Sequence, residues 1–180
     1  MRIFGLAGWS GSGKTTLLAT LIPELISRGI SVSTLKHAHH AFDIDQPGKD
    51  SWRHRQAGAS EVVVSSQHRW ALMHELRGAP EPSFEDLVRR MSPVDLLLVE
   101  GFKRHPIPKI EVYRPCLGKP PLYPEDPFVV AVASDEWLPE LPLPCLPLSD
   151  VPAIATFVLA YNGCGPFSLT TGVVDGPTER

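Results

Sequence analysis

The segment Gly8-Trp9-Ser10-Gly11-Ser12-Gly13-Lys14-Thr15 restricts the fold of this chain more than any other stretch. It fits GxxxxGK[ST] at every fixed position. An apolar run, Ile3-Phe4-Gly5-Leu6-Ala7, precedes it. Leu17, Leu18, Leu21, Ile22, Leu25 and Ile26 follow at helical spacing, and Gly29 marks the stop. Strand, glycine-rich loop and helix in that order make a cradle for a polyphosphate. The anion needs several donors converging on it, and a tight loop supplies backbone amides beside the positive end of a helix. Glycines let the backbone approach without Cβ collisions. Lys14 would place an ammonium between the β- and γ-phosphates, and the Thr15 hydroxyl would face Mg²⁺, a hard cation that prefers oxygen. The expected nucleotide-binding residues of the loop are Gly11, Ser12, Gly13, Lys14, Thr15 and Thr16.

The rest of the pattern extends this unit into an α/β fold of the P-loop NTPase type. Ile30–Leu35, Leu96–Val99, Lys109–Tyr113 and Phe128–Ala133 read as strands, alternating with helices over residues 84–91 and 149–161. Such alternation implies a mostly parallel sheet flanked by helices. Glu61–Ser66 and Arg69–Leu76, joined by Gln67-His68, read as an inserted β-hairpin. Asp50 or Ser51 is expected to cap a short helix that ends before Gly58, and Ser83 to cap the helix from Phe84. The 19 prolines cluster at 106–127 and 139–152, which are expected to be irregular surface connections. With 180 residues, a single nucleotide-binding domain over 1–162 is expected. Residues 163–180 lack periodicity and read as a flexible C-terminal tail.

Sites that bind a triphosphate with Mg²⁺ usually add a carboxylate from the end of a second strand. Asp95 and Glu100 flank the apolar run Leu96–Val99 and stand ~17 Å apart if it is extended. Only one of them can reach the metal. Ligands gather at the carboxyl ends of parallel strands, which selects Glu100. The polar stretch from Lys36 to Lys49 carries His37, His39, His40, Asp43 and Asp45. It reads as a mobile segment closing over the nucleotide, with Asp43 or Asp45 in the outer shell of the metal and Lys36 or Lys49 near phosphate. A zinc or nickel site on the histidines is the weaker alternative, because the nearby acids suit hard cations. Asp135 follows the run Val130–Ser134 and is the candidate reader of the base. One carboxylate can accept from both N1–H and N2–H₂ of guanine, and adenine offers no such pair.

Other totals narrow the class of partner. Seventeen basic and 20 acidic residues leave a formal charge of −3, which argues against a nucleic-acid binder. Three scattered cysteines form neither a disulfide framework nor a zinc motif. No signal peptide and no apolar stretch of membrane-spanning length is evident, so a cytoplasmic protein without a membrane anchor is expected.

Taken together, GWSGSGKTTLL, LKHAHH followed by DIDQPGKDS, SSQHRWALM, and LLLVEGFK followed by PKIEVYR resemble the MobB family of molybdopterin-guanine dinucleotide biosynthesis adaptor proteins. The resemblance runs in order from about residue 3 to about residue 160. It implies a GTP-binding homodimer with weak intrinsic GTPase activity that assists the guanylyltransferase joining GMP to molybdopterin. Residues Gly11 to Thr16 and Glu100 match the family's nucleotide site directly. Asp43, Asp45, Lys49 and Asp50 match as nucleotide-side candidates. The resemblance places the hairpin at Ser66–Trp70 near the dimer contact. No catalytic residue follows from it. Molybdopterin itself could meet basic residues such as Lys103, Arg104 and Lys109. The competing readings are a small-molecule kinase using the same loop, and a metal-delivery GTPase using the histidines.

Overall fold

A computed structural model describes residues 1–38 and 42–161. They form two compact units, one of residues 1–37 and 93 onward, the other of residues 38–92.

The first unit is built on a six-stranded sheet. Its strands are β1 (Arg2–Ala7), β2 (Val32–Lys36), β5 (Leu96–Glu100), β6 (Lys109–Tyr113), β7 (Val129–Ser134) and β8 (Cys145–Pro147), in the spatial order β2-β5-β1-β6-β7-β8. Every pairing is parallel. A central parallel strand is covered on both faces, and β5 accordingly has all five residues buried. Phe4 and Leu6 of β1, Leu96 and Leu98 of β5, and Ile110 and Val112 of β6 project to one side. There they pack with Leu17, Leu18, Leu21 and Leu25 of α1 (Lys14–Ser27) and with Ile154, Ala155 and Val158 of α4 (Val151–Ala160). α4 begins at Asp150, whose carboxylate accepts from the Ala153 amide, and Pro152 lies in its first turn.

Parallel alignment brings the carboxyl ends of β1, β5, β6 and β7 to one edge of the sheet. The segments after Ala7, Glu100, Tyr113 and Ser134 therefore share that edge.

The second unit holds α2 (Asp50–Gln56), the antiparallel hairpin of β3 (Glu61–Ser65) and β4 (Trp70–His74), and α3 (Phe84–Arg89). The hairpin expected from the sequence is present. Its turn is closed by Ser66, whose Oγ accepts from the His68 and Arg69 amides at 3.3 and 3.2 Å, so a hydroxyl does the work that a favoured turn pair would otherwise do. Ser83 caps α3 as expected, accepting from the Asp86 amide.

Two local expectations are corrected. Neither Asp50 nor Ser51 caps α2. Lys49 stands at the cap position without a side-chain bond, and Asp50 is the first helical residue. The proline-rich stretch 139–152 is not wholly irregular, because Cys145–Pro147 pairs with β7 as the edge strand β8. Proline is tolerated at an edge, where one side of the strand needs no ladder donors. His39, His40 and residues 162–180 lie outside the described residues, and with them the greater part of the histidine cluster and the expected tail.

Candidate functional site

The loop between β1 and α1 has the backbone of an anion cradle. Gly8, Gly11 and Gly13 all have positive φ, at 140°, 82° and 99°, and Gly13 caps α1 in the left-handed conformation. A Cβ on Gly8 would lie 2.5 Å from the Val112 carbonyl oxygen and 2.7 Å from Ser12 Oγ. The loop is thus wedged against the end of β6. Ser12 Oγ is buried and has no hydrogen-bond partner among the described residues. A buried hydroxyl without a partner is costly, and its presence inside the loop suits a polar ligand.

Lys14 folds back over the loop and donates to the carbonyls of Gly8 (3.0 Å) and Trp9 (2.9 Å). Burial lowers its pKa from the ordinary lysine value. Glu100 opposes that shift, while Lys103 and Lys36 add to it. An ammonium that is partly desolvated and beside two other cations is a place where an anion would be welcomed.

Thr15 donates from Oγ1 to Glu100 Oε1 at 3.2 Å. The two come from neighbouring elements: the first turn of α1 and the carboxyl end of β5, which pairs with β1. Glu100 is largely buried and meets Lys36 Nζ at 3.6 Å on its other oxygen. Asp95, the competing acid, sits at the opposite end of β5, where its carboxylate accepts from the amide and hydroxyl of Ser31 at 2.9 and 2.6 Å. The turn after Glu100 is tight. Gly101 has φ 99°, and a Cβ there would lie 2.8 Å from the Cβ of His37. Phe102 follows at φ 34°, a conformation that non-glycine residues rarely adopt. A hydroxyl, a carboxylate and a glycine-rich cradle with an orphaned buried hydroxyl form an oxygen-rich donor set that fits a hard divalent cation held with a polyphosphate.

Next to the cradle lies a cavity of about 410 Å³ lined by Gly13, Thr16, Arg114, Asp135, Leu148 and Ser149, among others. Its size and its few polar groups suit a small organic ligand. Asp135 stands at its wall, just past β7, and is ion-paired with Arg114 at 2.7 Å. Arg114 was not evident from sequence spacing, although it closes the segment PKIEVYR and sits just beyond a strand's carboxyl end. Trp9 adds contacts that its place in the loop motif does not signal. Its indole donates to the Pro120 carbonyl at 2.7 Å, and Lys103 lies 4.7 Å above its ring.

Lys109 is not available to an external ligand. It is buried and donates to the Lys103 and His105 carbonyls and to Asp126. Glu111, on the same face of β6, accepts from the Leu122 and Tyr123 amides, and burial raises its pKa despite those bonds. Both side chains anchor the proline-rich loop that carries Pro120.

In the second unit, Asp43 and Asp45 share Arg55, at 2.7 and 3.2 Å, and Glu75 takes a third nitrogen of the same guanidinium at 2.8 Å. Asp45 also accepts from Ser51 Oγ. Lys49 and Asp50 are exposed at the start of α2.

Comparisons with known proteins agree with this architecture. The family model described as molybdopterin guanine dinucleotide synthesis protein B matches residues 3–135. The molybdopterin-guanine dinucleotide biosynthesis adapter protein of Haemophilus influenzae is 46% identical over 160 residues, covering 87% of this chain and 86% of that one. The adapter protein of the same description from Escherichia coli K12 is 46% identical over 162 residues, covering 88% and 92%. Among solved structures, a molybdopterin-guanine biosynthesis protein B is 26% identical with a TM-score of 0.65, covering 87% of this chain and 97% of that chain. Bacillus subtilis MobB, at 22% identity and a TM-score of 0.71, shares the fold and covers 92% and 99%.

Proposed function

The chain belongs to the MobB family of molybdopterin guanine dinucleotide synthesis proteins, and from that premise we propose that it is a GTP-binding adaptor in molybdenum cofactor biosynthesis. In that role it assists the guanylyltransferase that joins GMP to molybdopterin, with at most slow GTP hydrolysis of its own. The observation that carries the nucleotide reading is the meeting of Thr15 and Glu100 beside the glycine cradle.

In this reading the amides of Gly11, Ser12, Gly13, Lys14, Thr15 and Thr16 hold the phosphates, and the Lys14 ammonium leaves the Gly8 and Trp9 carbonyls to bind them. Thr15 and Glu100 hold Mg²⁺, which when bound offsets phosphate charge. Glu100→Gln keeps the hydrogen bond to Thr15 but removes the anion. GTP affinity should fall modestly, and its rise on adding Mg²⁺ should largely disappear in titrations with and without the metal. The cavity beside the loop receives the base, and Asp135 accepts from N1–H and N2–H₂ of guanine. For Asp43, Asp45, Lys49 and Asp50 the support is the family resemblance. In the structure Asp43 and Asp45 are engaged by Arg55.

The homodimer of this reading uses the hairpin. Val63, Trp70 and Leu72 are exposed on one face of β3 and β4, a cluster of apolar side chains of the kind that marks an interface. Among the described residues no helix is long and apolar enough to cross a membrane.

Asp135→Asn tests the base assignment. Xanthine replaces the guanine N2 amine with a carbonyl, which an amide donor can meet and a carboxylate cannot. The variant should weaken for GTP by about tenfold or more and gain for XTP, read by competition binding. Unchanged GTP preference would remove Asp135 from the site.

A further inference from the structure

We propose that Arg114 is the positioning residue for base selection: its guanidinium fixes the Asp135 carboxylate at the cavity wall and ties it to the phosphate loop. This rests on the nucleotide reading above and names what makes that site selective.

Asp135 follows β7 on a side chain that is one third exposed and that, among the described residues, is held by Arg114 alone. A carboxylate free to rotate in water discriminates poorly, because each orientation must be given up on binding. Arg114 removes that freedom. Its NH1 donates to Asp135 Oδ2 at 2.7 Å, a short charge-assisted bond, and leaves Oδ1 without a hydrogen-bond partner among the described residues. Its Nε donates to the Ser12 carbonyl at 3.0 Å. The planar guanidinium therefore spans from the phosphate loop to the base reader with two directed bonds. It also lies directly beside Gly13, where an added Cβ would come within 3.5 Å of NH2. Gly13, Thr16, Arg114 and Asp135 line the same cavity. The consequence is geometric. The site of phosphate capture and the site of base reading are held in register by one side chain, so a guanine whose phosphates are seated meets a carboxylate already aimed.

Arg114 differs in this from a general strut and from a phosphate ligand. Loss of either would weaken all triphosphates alike. Loss of a positioning residue weakens GTP most and leaves ATP nearly unchanged, because guanine gives the carboxylate two donors and adenine offers no such pair. ITP is the informative probe: it keeps N1–H and lacks the 2-amino group, so the ratio of its Kd to that of GTP reports how well both donors are met.

The experiment is Mg²⁺-supported binding of GTP, ITP and ATP to the full chain carrying Arg114→Gln, Arg114→Lys or Asp135→Asn, or Arg114→Gln with Asp135→Asn. Arg114→Gln should lower the ITP-to-GTP ratio by about tenfold, with ITP weakened less than GTP and ATP changing little. Arg114→Lys, which keeps the charge without the fork, should fall between it and the wild type. In the Asp135→Asn background, Arg114→Gln should have no further effect on the ratio, since the two act as one unit. An unchanged ratio, or a uniform loss for all three nucleotides, overturns the inference and leaves the nucleotide reading standing. A wild-type protein with no preference for GTP over ATP overturns both.

Discussion

Lys14→Ala is expected to lower triphosphate affinity by about two orders of magnitude or more. The ammonium sits on the Gly8 and Trp9 carbonyls at the start of the loop, and it is the group best placed to turn from them to a polyphosphate. Charge-assisted contacts of this kind are worth roughly 1.5–3 kcal/mol each, and a lysine can make two at once to neighbouring phosphates. The fold should survive the change, because the Lys14 side chain is only partly buried and its ammonium is already disfavoured by burial. Calorimetric titration reads the affinity, and circular dichroism confirms that the variant is folded. Affinity within threefold of the wild type would show that the loop does not hold phosphate.

The second large effect is Gly8→Ala. At φ 140° an L-residue is strained, and the added methyl would meet the Val112 backbone oxygen at 2.5 Å, which cannot rotate away. The loop or the end of β6 must move. A cost of about 2–4 kcal/mol is expected, which for a chain of this size lowers Tm by roughly 5–15 °C. Gly11→Ala supplies the control. Its φ of 82° is also left-handed, but nothing lies within 4 Å of the new methyl. Only the conformational term remains, about 1–2 kcal/mol. Thermal unfolding of the two variants checks this, and a Gly8→Ala loss no larger than that of Gly11→Ala would mean that the loop is not wedged against β6.

Much of this fold was legible in the sequence because its signals are local. The apolar run at Leu96–Val99 is buried on both sides, so its composition alone marks it as central. The glycines of the phosphate loop carry their conformational demand in their identity. β8 was illegible for the opposite reason: three residues next to prolines on a sheet edge have no periodicity to show. The choice of Glu100 over Asp95 followed from strand polarity, and the structure sets Thr15 against the former and Ser31 against the latter. The Arg114–Asp135 pair could not be read from spacing, since 21 residues and a strand change separate its members. Nor could the partnership of Asp43 and Asp45 with Arg55, which depends on how the polar loop folds back on α2.

Titration of the wild-type chain with GTP and with ATP, each with and without Mg²⁺, tests the central claim most directly. GTP should bind with Mg²⁺-dependent affinity and ATP at least about tenfold more weakly, since adenine cannot satisfy the Asp135 carboxylate. Equal affinity for the two, preference for ATP, or GTP binding indifferent to Mg²⁺ would contradict it.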